Sequence, residues 1–295
     1  MKAWLRKGCL ACAGLAALGA LLALVLGVVF LVQGAPENLE PRELVQELPS
    51  PLDGSSDRRS GRVVLSLSSA AVSVVSGPPG EPIRVEAEFD PDVFSLEQSY
   101  EEDSAGVWSY RVDFHEKKTL HISVLKIWMG KRSPRVRIVL PRDLPFTLET
   151  RMDGGYLDLD LAGMSVASAD IELVRGVLDL RVSEPLPAPM KRLGVKSRVG
   201  TAILRSLGNA SPRALSITHG GGAALVDLDG AWLANANVFF HVALAKGELR
   251  LPEGIRVQML DDEAFPLADT DDEEIPRPTL RVSTYCHMGD IRVVD

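Results

Sequence analysis

The chain has 295 residues, of which 46% are hydrophobic and 24% charged, and its formal net charge is −8 at pH 7. This length allows one sizeable folded domain with appended segments, and an acidic balance without a basic stripe argues against nucleic-acid binding. The three cysteines are too few for a disulfide framework, and the five histidines lack the short spacings of a zinc site. We therefore predict neither a metal centre nor a cofactor.

The first predicted element is a membrane helix. Residues 8–32 contain no charged side chain, and 25 residues at about 1.5 Å each cross a hydrocarbon core of about 30 Å. Basic residues dominate residues 1–7 and glutamates follow the segment, so the N-terminus is predicted to be cytoplasmic and the rest extracytoplasmic. The alternative is a cleaved signal peptide, but this apolar run is longer than a signal peptide needs and ends in a poor cleavage site.

Small residues recur along one face of this helix. Gly19, Ala23 and Gly27 lie four residues apart, a spacing that lets two membrane helices approach closely. The face is a candidate for self-association into a homo-oligomer; the alternative is that glycine and alanine are simply common in this helix. Residues 33–60 are rich in Pro, Ser and Glu and predict a linker, with one or two helical turns near residues 41–48.

A glycine repeat dominates residues 61–295. Apolar and polar residues alternate there as in β-strands, apart from an acidic stretch at residues 91–106 that reads as a loop. The second and fourth residues after each repeated glycine are small or apolar, and the middle intervals are 21, 24, 22 and 25 residues. The glycines of this repeat are Gly61, Gly155, Gly176, Gly200, Gly222, Gly247 and Gly289.

A fixed period of this size indicates stacked repeats, each of which buries its apolar side against its neighbours. We predict an all-β fold, a stacked-rung β-solenoid that follows one N-terminal transmembrane helix. The glycines would lie where the chain turns between strands, with even offsets inside and odd offsets outside. An acidic, proline-flanked loop at residues 261–277 would precede the last rung.

Two motifs resemble known bacterial proteins. The strand that ends in Leu140-Pro141, together with the glycine rungs up to Pro252, resembles the adhesin-type β-solenoid domains of bacteria. The C-terminal segment Met288-Gly289-Asp290-Ile291-Arg292-Val293 is similar to the end of Lia-type cell-envelope stress-response proteins. The resemblance implies a membrane-linked, extracytoplasmic and non-catalytic domain that acts in adhesion or in envelope-stress signalling.

The odd offsets predict a charged outer strand face, which is our candidate binding surface. One interpretation is a solvated face with cross-strand ion pairs; the alternative is a carbohydrate-active solenoid enzyme, which would need these groups clustered in a cleft. The residues are Asp158, Asp160, Asp179, Arg181, Arg205, Asp227 and Arg250.

No catalytic constellation stands out in the sequence, so we predict a non-enzymatic interaction or sensor module of the cell envelope. Its partner would be a protein or a cell-wall glycan, and the membrane would hold the anchor. A structural stalk or self-assembling surface protein is the further alternative.

Overall fold

The strands form one long sheet that is bent along a line of glycines. The computed structural model describes residues 39–47, 60–103, 107–117, 133–260 and 278–294, all within one compact unit. The bounds are β1 Glu40–Gln46, β2 Gly61–Ser76, β3 Ile83–Phe89, β4 Phe94–Glu102, β5 Trp108–Glu116, β6 Arg135–Leu140, β7 Phe146–Asp160, β8 Val166–Arg181, β9 Arg192–Arg205, β10 Ala214–Asp227, β11 Ala236–Arg250, β12 Arg256–Leu260, β13 Thr279–Cys286 and β14 Asp290–Val294, with one short 3-10 turn at Leu207–Ala210.

The centre of the fold is a solenoid-like stack of parallel rungs. Strands β2, β7, β8, β9, β10 and β11 pair in that order, each parallel to the next. The prediction of an all-β fold with stacked strands is confirmed for the described residues. The predicted transmembrane helix at residues 8–32, with Gly19, Ala23 and Gly27, lies outside the described residues. Within the described part of the chain, no helix has the length and apolar character needed to span a bilayer.

Each long strand turns a corner at which its inward-facing side changes. In β8, Ile171 and Leu173 are buried before the corner, and Leu178 and Leu180 are buried after it. The parity of the buried residues therefore changes across Gly176, which has a φ of +125°. Because side chains alternate along a strand, such a change needs an irregular residue, and glycine adopts positive φ at little cost.

The corner divides the sheet into two faces. The first face consists of the segments before the corner together with β4 and β5 at one end and β13 and β12 at the other. The second face consists of the segments after the corner together with β1, β3 and β6 at one end and β14 at the other. The inward side chains of both faces belong to one continuous apolar core. Burying each leucine there stabilises the fold by roughly 1.5–3 kcal/mol.

Only four of the seven predicted repeat glycines have positive φ at the corners of stacked rungs, and we call these four the glycine column. Gly155, Gly176, Gly200 and Gly222 all have positive φ and pair with one another in register. A Cβ on Gly200 would lie 1.9 Å from the carbonyl oxygen of Gly176, so the central rungs approach too closely for a side chain at this position. The four central glycines are therefore confirmed as corner residues.

Gly61 and Gly247 do not belong to this column. The register pairs Gly155 with Ala70, and Gly222 with Ala245. Gly61 instead begins β2 beneath the indole ring of Trp108, where a Cβ would overlap the ring. Gly247 faces the rings and methyls of neighbouring core side chains, so the predicted interval of 25 residues was wrong. Both glycines fit the sequence pattern because an inward glycine on a strand is also followed by alternating apolar residues.

Two predicted irregular segments are strands. The helical turn expected near residues 41–48 was wrong, because Glu40–Gln46 forms β1 and pairs antiparallel with β3. The loop expected at residues 91–106 was also wrong, because Phe94–Glu102 forms β4 and pairs antiparallel with β5. Both strands lie at free edges and carry few inward apolar residues, so their sequences lack a clear strand pattern. The loop predicted at residues 261–277 lies outside the described residues.

Candidate functional site

The outer side of the second face carries the predicted charged ladder. Asp158 on β7 lies in register beside Asp179 on β8, and Asp160 lies beside Arg181. Arg181 in turn lies beside Arg205 on β9. Parallel pairing without a register shift in this half of the strands keeps these side chains in two adjacent rows. Carboxylates and guanidinium groups on neighbouring strands are then close enough to form direct ion pairs.

Arg181 connects two carboxylates of the ladder. Its guanidinium donates to Asp158 Oδ1 at 2.6 Å and to Asp158 Oδ2 at 3.4 Å, and its Nε donates to Asp160 Oδ2 at 3.2 Å. The Ser183 hydroxyl adds a bond to Asp160 Oδ2 at 2.9 Å. Burial lowers the pKa of Arg181, but the hydrogen bond and charge of Asp158, followed by the charge of Asp160, leave that pKa raised overall. The guanidinium is therefore a fixed positive centre between two carboxylates.

A second pair continues the ladder on the next rung. Arg205 Nη1 donates to both carboxylate oxygens of Asp179, at 2.8 and 3.0 Å, and Asp179 is almost fully buried. The last two predicted members do not join the ladder. Arg250 instead donates to Glu248 on its own strand at 3.0 Å, and Asp227 accepts the backbone N–H of Asp229. Five of the seven predicted residues thus form two neighbouring ion-paired groups, one around Arg181 and one between Arg205 and Asp179.

A groove lies beside the ladder, at the end of the second face where β1 is the edge strand. Its floor is Ala71 and Ser73 on β2, and its volume is about 760 Å³. Arg135 and Arg137 on β6 stand on one side, and Tyr156 and Asp158 on β7 stand on the other, since β2 pairs with both strands. We call this feature the outer groove. Its full lining is Pro41, Arg42, Glu43, Ala71, Val72, Ser73, Glu86, Ala87, Glu88, Arg135, Val136, Arg137, Tyr156 and Asp158.

Tyr156 joins the outer groove to the ladder. Its side chain follows the corner glycine Gly155 and is 43% exposed although the residue lies mid-sheet. Burial of the remaining surface, followed by the charges of Asp179 and Asp158, raises the pKa of its hydroxyl. The hydroxyl therefore stays protonated at neutral pH and can act as a hydrogen-bond donor. Asp158 has a role in both features, since it lines the outer groove and binds Arg181.

Sequence reasoning missed the outer groove because its walls come from distant parts of the chain. Only Asp158 was named, and its neighbours in the groove lie on β1, β3, β6 and β2, whose mutual register is not readable from the sequence. Tyr156 carried one signal, since it is a large side chain at an odd offset from a repeat glycine. Among the described residues, no group of three or more His, Cys, Asp or Glu side chains is placed to hold a metal ion.

The comparisons with known proteins find only remote relatives. No family model matches the chain, and no curated protein matches it. A candidate cell adhesion protein from Clostridium sporogenes has 11% identity and a TM-score of 0.45, with 86% of this chain and 99% of that chain covered. A candidate adhesin from Bacteroides fragilis has 8% identity and a TM-score of 0.43, with 88% and 98% covered. The Lia-type similarity of the C-terminal segment stays a prediction.

Proposed function

We propose that this protein is a non-enzymatic, adhesin-like interaction module of the cell envelope. In this proposal residues 8–32 anchor the chain in the membrane, and the β-domain presents the outer groove and the charged ladder to an extracytoplasmic partner. The observation that carries this proposal is that the outer groove and the charged ladder are continuous, since Asp158 belongs to both. An open groove with one exposed aromatic side chain continues into a row of ordered ion pairs, so a partner would meet a pre-organised surface. The proposed partner is either a protein or a cell-wall glycan.

The state of the carboxylates supports binding over hydrolysis. A glycosidase needs one carboxylic acid as a proton donor and a second carboxylate opposite it. Both oxygens of Asp158 and of Asp179 accept arginine hydrogen bonds, and both oxygens of Asp160 also accept hydrogen bonds. Groups held in this way are well suited to fix a surface, and each of the three carboxylates already accepts a hydrogen bond at both oxygens. The enzyme alternative would need a different acid.

An envelope-stress role and an adhesive role use the same surface and differ in the partner. Capture from the organism's own envelope by the full-length chain tests the surface directly. Ser73→Trp would fill the floor of the outer groove, and Ser216→Trp is the matched control, because Ser216 is an outward serine on the first face. We expect the first variant to lose the partner and the second to retain it. Equal capture by both variants would contradict the proposal.

A stalk that self-assembles is a second candidate, favoured by an apolar ridge beside the corner. Val199 and Leu244 are each 60% exposed and Met288 is 61% exposed. The register places Val199 and Leu244 on either side of Gly221. Charging the ridge with Leu244→Glu should convert oligomers of the full-length chain to monomers in light scattering. A chain that is already monomeric at all concentrations would remove this candidate.

A further inference from the structure

We propose that the outer groove binds a neutral saccharide chain and that Tyr156 is the ring on which a sugar stacks. This inference rests on the proposed function and names the ligand class of the same surface. Four properties of the groove carry it: its shape, the absence of free backbone groups in its floor, the mixed signs of its charges and the position of the tyrosine.

The shape fits an elongated ligand that lies on the sheet. The floor residues Ala71 and Ser73 are the smallest side chains in their rows, and each lies between an arginine on β6 and a β7 residue. A row of small residues between two rows of large ones makes a trough. Its volume of about 760 Å³ lies within the range of about 300–1,000 Å³ that is usual for ligand clefts.

The floor of the trough has no backbone edge for a peptide strand. Strand β2 pairs with β7 on one side and with β6 on the other at this point. Strand β6 pairs with β3, and β3 pairs with β1, so their backbone groups are also engaged in the sheet. Addition of a peptide strand needs unpaired backbone groups. The free edge of β1 lies on the side away from β3 and the floor, so a ligand that lies on the floor must be recognised by side chains.

Those side chains carry both signs of charge. The outward lining contains two arginines and four carboxylates, Arg135, Arg137, Glu43, Glu86, Glu88 and Asp158. Arg42 lies instead in the inward row beside Ala87, with its guanidinium 5.7 Å from the centre of the Phe89 ring. Arg137 already donates to Glu86 at 3.3 Å, and Asp158 accepts from Arg181. A polyanion or a polycation would meet like charges along its length, whereas a neutral ligand would not. Neighbouring donors and acceptors of this kind suit hydroxyl groups, each of which can donate and accept.

Tyr156 supplies the apolar contact that such a ligand needs. The ring is 43% exposed and lies on the wall of the trough above Ser73 and Ala71. Tyrosine combines an apolar ring face with a polar hydroxyl, so it can cover the C–H face of a sugar and still donate a hydrogen bond. Glu43 completes the opposite end of the lining and is an outward residue of β1. A bound ligand would therefore also hold β1 against β3.

The test is a titration of the full-length chain in lipid nanodiscs, which avoids sugar-based detergents. The probes are cellohexaose, maltohexaose and chitohexaose, with poly-aspartate and poly-lysine as charged controls that contain no sugar. Tyr156→Ala is the main variant, and Tyr156→Phe retains the ring. Tyr285→Ala is the matched control, because Tyr285 is equally exposed but lies on the first face. Hydrogen exchange of β1, with and without probe, gives a second readout.

We expect at least one hexasaccharide to bind and both charged polymers to fail. Tyr156→Ala should weaken binding by about tenfold, the equivalent of about 1.4 kcal/mol, whereas Tyr156→Phe and Tyr285→Ala should change it little. Bound saccharide should also slow hydrogen exchange in β1. If no saccharide binds while Ser73→Trp still abolishes capture of an envelope protein, the saccharide class is wrong and the proposed function stands. If no saccharide binds and Ser73→Trp also leaves capture of the envelope protein unchanged, the saccharide class and the proposed function are both wrong.

Discussion

Three consecutive glycines in β10 provide a test of the stacked corner within one strand. Gly222 has a φ of +115°, and a Cβ there would lie 1.9 Å from the carbonyl oxygen of Gly200. At Gly221 the nearest atom to an added Cβ is the Leu244 carbonyl oxygen at 3.7 Å, an ordinary contact. The same substitution at adjacent positions should therefore give opposite results. We predict that Gly222→Ala is severely destabilising and that Gly221→Ala is tolerated.

The magnitude follows from two costs. Holding a non-glycine residue in a sparsely populated backbone region costs about 1–3 kcal/mol. Relieving an overlap with a backbone oxygen requires two rungs to separate, and overpacking of this kind typically costs about 1–3 kcal/mol. We therefore expect Gly222→Ala to lower the free energy of unfolding by about 3 kcal/mol, a large part of a typical total of about 5–15 kcal/mol. Gly221→Ala should change it by less than about 0.5 kcal/mol.

Urea unfolding of the full-length chain measures both values. Trp108 and Trp232 are almost fully buried in the β-domain, so tryptophan fluorescence should report its unfolding. The midpoint should fall clearly for Gly222→Ala and remain near that of the parent for Gly221→Ala. If the two variants unfold at the same urea concentration, the close approach of the rungs at the glycine column is refuted.

Three further predictions concern the core and the ladder. The His219 ring is fully buried, and neither nitrogen has a hydrogen-bond partner among the described residues. Burial lowers the pKa of this ring, so the unfolded chain binds the proton more readily and the free energy of unfolding should fall as the pH drops below about 6.5. His219→Leu should reduce that loss in urea titrations at pH 7.5 and 5.5. Parallel pH curves would contradict this. Arg181→Ala should lower the free energy of unfolding by about 1 kcal/mol through its two carboxylate partners, while Arg250→Ala should have little effect, and equal losses in urea titrations would contradict the ladder. Trp232→Phe removes a buried hydrogen bond of 2.8 Å to the Leu228 carbonyl oxygen and should cost about 1–2 kcal/mol by thermal unfolding; a parent-like midpoint would show that the bond contributes nothing.

The sequence predicted the central rungs because their signal is local and repeated. Gly155, Gly176, Gly200 and Gly222 occupy one column, and the leucines after them are buried, as the offsets indicated. A glycine that must adopt positive φ within a strand has few substitutes, so the position stays glycine at each rung. Alternation of apolar residues then follows from the pleat.

The ends of the stack could not be predicted in this way. Strand β1 reads Glu-Pro-Arg-Glu-Leu-Val-Gln and has no clear alternation, because none of its residues is fully buried against the core. Its extended form depends on pairing with β3, a contact between segments about forty residues apart. At the corner itself, Ala70 and Ala245 replace glycine without positive φ, so these two rungs turn differently. The predicted Gly289 of the last rung does lie at the corner, where a Cβ would be 2.1 Å from the Ala245 carbonyl oxygen.

The candidate site also has one part that the sequence predicted, the ion pairs, and one part that it did not, the outer groove. The ion pairs of the ladder were foreseeable because their residues lie at odd offsets on successive rungs. Arg181 lies directly beside Asp160, and its bond to Asp158 is diagonal, like that of Arg205 to Asp179. Arg250 was predicted on the outer face, but the register places it beside Asp227, two positions further from the corner than its offset from Gly247 indicated, because Ala245 occupies the corner. There it donates to Glu248 on its own strand. The outer groove needed the register of β2 against β6 and β7, which no local pattern encodes.

The most direct test of the central claim is photo-crosslinking in the native envelope. A photoreactive residue at Ser73 would lie in the floor of the outer groove on the second face, and one at Ser216 would lie at a similar outward position on the first face. We predict that illumination of the full-length chain crosslinks a specific envelope component from position 73 and none from position 216. Crosslinks from position 216 alone, or identical crosslinks from both positions, would contradict it.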